Sequence, residues 1–130
     1  MDEEEVNMNG KQRTCTTILV VEDDDDIRSV ILDLLESEGY RTLAAANGKE
    51  ALDVLSSSPK PCLVLLDMMM PIMNGREFLD IIMKDSMLAP LPVLIVSSVA
   101  DVSNSKGSVG FLKKPIDIDV ILEVVGQYCK

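Results

Sequence analysis

Short, unbroken apolar runs alternate along the chain with segments whose apolar residues recur at helical spacing. The run Ile18–Val21 precedes a helical pattern of Ile27, Val30, Ile31, Leu34 and Leu35, which Gly39 stops. The same order repeats. A strand is predicted at Arg41–Ala45, a helix around Ala51–Leu55 with Asn47 as its cap and Glu50 three residues on, then a strand at Leu63–Leu66. A helix at Gly75–Lys84, a strand at Val93–Val96, a weak segment, a strand at Val109–Leu112 and a helix from Asp117 to about Tyr128 complete the series. Residues 1–15, polar and without periodicity, are expected to be a mobile tail, with the domain spanning 16–130.

Runs such as LVLL and VLIV lack polar alternation, as strands do when both faces are covered, and alternating strand and helix units imply a parallel sheet with right-handed crossovers. The expected fold is therefore a doubly wound α/β sandwich with five parallel strands in the order 2-1-3-4-5. Such sheets place their working residues beyond the carboxyl ends of the strands.

Those ends carry the chemistry. Glu22 and Asp23 follow the first strand and Asp67 follows the third, so the strand order brings three carboxylates together. Like charges about 4 Å apart repel by roughly 4 kcal/mol per pair at an effective dielectric of 20, and a cation would offset that. Oxygen ligands without Cys or His suit a hard ion, Mg²⁺ where phosphate also coordinates. Asp25 and Asp26 read instead as complements to the dipole of the following helix. Ser97 at the end of the fourth strand and Lys114 at the end of the fifth face the acids. A hydroxyl and an ammonium there suit a phosphoryl group carried on Asp67.

Composition narrows the classes. At 130 residues and 47% hydrophobic content the chain is the size of one globular domain, and no apolar run is long enough to span a bilayer. A net charge of −10 argues against binding a nucleic-acid backbone. The acidic start is unlike a secretory signal, so a cytoplasmic location without membrane attachment is expected. Cys15, Cys62 and Cys129 form no CxxC pair, and all three are read as reduced thiols.

The segments ILVVEDD, LVLLDMMMPIMNG, PVLIVSS and GFLKKPID, in this order, resemble response-regulator receiver domains of the stand-alone, chemotaxis type, over roughly Thr16 to Tyr128. The resemblance implies a flavodoxin-like fold and a phosphoacceptor role for Asp67 in a two-component phosphorelay. It implies that Asp23, Glu22, Asp67 and the main-chain carbonyl of Met69 serve a Mg²⁺ or Mn²⁺ ion. Ser97 takes the place of the switch hydroxyl, Lys114 that of the phosphate-contacting lysine and Phe111 that of the switch aromatic. The implied partners are a histidine kinase or phosphotransfer protein and a downstream protein target. The chain is expected to promote its own phosphorylation and dephosphorylation without turning over external substrates.

Departures from that pattern bear on function. Ser97 and Phe111 are 14 positions apart (111 minus 97), fewer than the family spacing, and VADVSNSKGSVG is poor in helix formers, so a shortened or irregular fourth helix is expected. Apolar Met69 and Val99 flank the path of a hydrolytic water and imply a long-lived acyl phosphate. Two readings from other classes stay open. One is a constitutive interaction module that has lost switching; the other is a phosphohydrolase, disfavoured because Met69 stands where a second Asp would be needed.

Overall fold

In the computed structural model, which describes residues 16–98 and 107–129, the apolar runs pair as β1 (Thr17–Val21), β2 (Arg41–Ala45), β3 (Leu63–Leu66), β4 (Val93–Ser97) and β5 (Gly110–Lys113). All pairings are parallel and the sheet order is β2-β1-β3-β4-β5, as the sequence predicts. The helices are α1 (Asp25–Ser37), α2 (Gly48–Ser57), α3 (Gly75–Met83) and α4 (Ile118–Tyr128).

Period-two alternation within each strand sorts the apolar side chains into two cores. Ile18, Val20, Leu63 and Leu65 face α1 and α4, where Ile31, Leu35, Ile121 and Val125 are buried. Leu19, Val21, Val64 and Leu66 face α2 and α3 and pack with Leu55, Phe78 and Ile82. Because both faces are covered, β1, β3 and β4 read as continuous apolar runs.

Helix ends follow local chemistry. Asp24 caps α1 by accepting from the N–H groups of Asp26 and Ile27, so it, rather than its two acidic successors, is the capping residue. Gly39, at φ +91°, ends α1 in a Schellman motif: the Tyr40 N–H bonds to Leu35 O and the Gly39 N–H to Glu36 O. Asn47 caps α2, Asn74 and Glu77 form a capping box on α3, and Asp117 caps α4.

The expectation of three reduced thiols is corrected. Cys62, just before β3, and Cys129, at the end of α4, form a disulfide with their Cα atoms 5.5 Å apart. Their separation of 67 residues is closed only by the tertiary fold, so spacing could not reveal it. Cys15 lies outside the described residues, as does the tail. Among the described residues no helix stands between β4 and β5; the shortened helix falls mainly on residues 99–106, also outside them.

The β3–α3 loop contains a feature with no sequence signal. Ile72 has φ +68°, and the Met73 N–H donates to Pro71 O at 2.7 Å, which together describe a γ-turn of the uncommon hand. A β-branched residue there is strained, and its side chain is 77% exposed, so burial does not compensate. Ile72→Gly should therefore raise stability by about 1 kcal/mol, the relieved strain exceeding the added freedom of the unfolded chain. Chemical denaturation measures this; a lower midpoint for the variant would contradict it.

Candidate functional site

The site begins where the sheet hydrogen bonds continue one step past the strands. The Glu22 N–H donates to Ala45 O and the Asp67 N–H to Val21 O, at 3.0 and 2.9 Å, fixing both residues at the carboxyl edge of β1 and β3. Glu22 and Asp67 are buried, Asp23 is exposed, and one carboxylate oxygen from each lies within 4.8 Å of the others. Three converging carboxylates without nitrogen or sulfur donors suit a hard divalent cation.

Lys114 enters from β5. Its N–H donates to Ser97 O at 2.9 Å, and its Nζ lies 2.7 Å from Glu22 Oε1 and 3.6 Å from Asp67 Oδ2. The ammonium is thus an internal counter-ion bonded chiefly to Glu22. Glu22 Oε2 also accepts from the Asp24 N–H, which orients it. The Met69 N–H donates to Asp67 Oδ1 at 3.2 Å, while the Met69 side chain is 61% exposed. Ser97 is fully buried at the end of β4, and the register Leu66↔Ile95 places it one position beyond the level of Asp67. Phe111 pairs with Ile95 two residues below Ser97 and packs, partly buried, against the α2/α3 core. Glu22, Asp23, Asp67 and Lys114 are therefore gathered directly, Ser97 by register, and Phe111 stands one step back.

Two contributors were not predicted. Arg28, on the first turns of α1, donates to the main-chain oxygen of Glu22 at 2.7 Å and pairs with Asp25, tying α1 to the end of β1. An arginine near a helix start gives no sequence sign of this. Gly75, which opens α3, lies so near Asp67 that an added Cβ would stand 2.6 Å from Asp67 O. The start of a helix at Gly75 was predicted, but not the contact.

Burial pushes the Asp67 carboxyl up to about 7, and the charge of Glu22 adds to this against the opposing pull of the Met69 N–H and Lys114. Lys114 is opposed by burial, yet its contacts with Glu22 and Asp67 outweigh that and raise it. A cation that requires ionised Asp67 must therefore displace a proton. Its apparent affinity should fall by up to roughly tenfold per pH unit below about 7, with proton release in calorimetry. Affinity unchanged between about pH 5.5 and 7.5 would contradict this.

A five-stranded parallel sandwich with an acidic pocket and a facing lysine at its switch point defines a phosphoacceptor-type signalling domain. Residues 18–126 match the family described as the response regulator receiver domain, and the chain belongs to that family, whose members act as phosphoacceptors in two-component signalling. It is 36% identical over 114 residues to sporulation initiation phosphotransferase F of Bacillus subtilis, covering 85% of this chain and 91% of that protein. The receiver domain of a signal transduction histidine kinase from Syntrophus aciditrophicus is 28% identical with a TM-score of 0.80, covering 88% of this chain and 89% of that one. Response regulator TrrA of Thermotoga maritima, solved in complex with Mg²⁺-BeF, is 28% identical with a TM-score of 0.77, covering 87% and 98%. Among the described residues no helix is long and apolar enough to cross a membrane.

Proposed function

We propose that Asp67 is the residue that takes the phosphoryl group, from a histidine kinase or histidine-containing phosphotransfer protein, in a reaction that needs Mg²⁺ or Mn²⁺. The observation that carries this reading is the convergence of Glu22, Asp23 and Asp67 beside the Lys114 ammonium. Glu22, Asp23, Asp67 and the main-chain carbonyl of Met69 would hold the ion. When bound, the ion offsets negative charge on the transferring phosphoryl group and on its acceptor. That TrrA was solved in complex with Mg²⁺-BeF supports a divalent ion at a site of this kind.

In the transfer, an ionised Asp67 oxygen attacks phosphorus in line while the phosphorus–nitrogen bond of the donor breaks and its electron pair returns to the imidazole. Lys114 turns from Glu22 toward a phosphoryl oxygen, a short displacement because its Nζ already lies 3.6 Å from Asp67 Oδ2. The Ser97 hydroxyl donates to another phosphoryl oxygen. Movement of Ser97 toward the phosphoryl group propagates along β4 and β5 to Phe111, changing the surface around β5 and α4 that a downstream protein reads. The reading keeps the chain in the cytoplasm, with no turnover of external substrates. A constitutive module is not favoured, since every charged group of the transfer site is present.

Incubation with acetyl phosphate and Mg²⁺ should add one phosphoryl group, located on Asp67 by peptide mass spectrometry and absent when the metal is chelated. No mass gain with Mg²⁺ present would overturn the assignment.

A further inference from the structure

The two cysteines of the disulfide differ in access. Cys129 is 1% exposed within the α1/α4 core, whereas Cys62 is partly exposed beside Thr17, whose main-chain oxygen lies 3.2 Å from its Sγ. Cys62 leads into β3, the strand that ends at Asp67, and Cys129 closes α4, the helix that follows Lys114. The bond lies at the opposite ends of these two elements from the acidic pocket, so it can change how α4 is held without touching the carboxylates. One of the two cysteines is only partly buried, and on the cytoplasmic reading proposed above a disulfide is commonly a transient one, formed and broken by exchange.

We propose that Cys62 and Cys129 form a thiol–disulfide exchange site whose co-substrate is a low-molecular-weight disulfide of the glutathione class. Starting from two thiols, the Cys62 thiolate attacks one sulfur of the oxidised co-substrate. A protein–glutathione disulfide forms, and the first glutathione leaves as a thiolate that takes up the proton Cys62 gave up. The Cys129 thiolate then attacks Cys62 Sγ and forms the Cys62–Cys129 bond as the bond from Cys62 to glutathione breaks, and the second glutathione leaves as a thiolate that takes up the proton Cys129 gave up. Two protein thiols are oxidised and one glutathione disulfide is reduced to two thiols. Oxidation fastens the last turn of α4 to the start of β3; reduction frees it. The first turn of the same helix carries Ile118 and Ile121, which with Ile27, Val30 and Leu34 of α1 line an apolar groove of about 330 Å³, so the exchange state reaches that face only through α4 as a whole.

The test uses the full chain equilibrated with oxidised glutathione or with dithiothreitol. Alkylation and peptide mass spectrometry should find Cys62 and Cys129 blocked in the first case and modified in the second, with a cross-linked Cys62–Cys129 peptide only in the first. Closing a loop of 67 residues, the bond should raise the melting temperature by roughly 10 °C or more. Amide exchange at Val125–Tyr128 should quicken at least about tenfold on reduction, since helix ends open locally once released. Cys129→Ala should accumulate glutathione on Cys62, and Cys62→Ala should not accumulate it on Cys129. Both thiols alkylated after oxidation, pairing of either with Cys15, or a melting temperature indifferent to reductant would each overturn the proposal. The wild-type comparison suffices if a variant does not fold.

Discussion

Asp67→Asn should abolish phosphoryl uptake from acetyl phosphate, a loss of about a thousandfold or more, because an amide oxygen is a poor nucleophile and a weak cation ligand. The same substitution should stabilise the metal-free protein above neutral pH. Asp67 titrates near 7 in the folded state against 3.8 for an ordinary aspartate, so its contribution to stability is fully present below 3.8 and is lost as pH rises through 7. The variant escapes that loss. Its advantage should grow between about pH 4 and 7 and level off above that, read from urea denaturation in chelator. A constant difference across that range would mean that Asp67 is not held as its surroundings indicate, and residual phosphorylation of the variant would move the acceptor elsewhere.

Gly75→Ala should cost about 3 kcal/mol and slow phosphorylation by roughly a hundredfold. The added methyl would stand 2.6 Å from Asp67 O and 2.7 Å from Met68 Cα, and these are main-chain atoms that cannot turn aside as a side chain can. Relief requires shifting the segment that carries the nucleophile, which is why rate and stability fall together. Gly126→Ala serves as the contrast. Nothing lies within 4 Å of a Cβ there, and the position is inside α4, so the exchange should stabilise by about 0.5–1 kcal/mol. Gly75→Ala folding and reacting like the parent chain would show that the loop gives way more easily than its packing implies.

Much of the fold was legible because burial on both faces leaves a direct mark: LVLL and VLIV could hardly belong to exposed strands, and β2 and β3 begin and end where the pattern places them. Helix starts were legible where a single side chain does the capping, as with Asn47. The acidic pocket followed from strand order alone. What stayed hidden depends on groups distant in sequence. The choice of Lys114 for Glu22 over Asp67 is a matter of 2.7 against 3.6 Å between elements 92 residues apart, which no spacing encodes. The Cys62–Cys129 pairing is of the same kind. Ile72 was hidden for another reason, since glycine is the usual sign of positive φ and here a branched side chain bears the strain.

The ammonium on Glu22 has one more implication. A cluster of acids that relied on a bound ion for neutrality would tend to come apart in its absence, as many small metalloproteins do. This one carries its own positive charge in reserve, so chelators should strip the ion and leave a native fold behind. Divalent metal then governs reactivity rather than architecture, and the resting domain can wait, assembled, for ion and donor to arrive together.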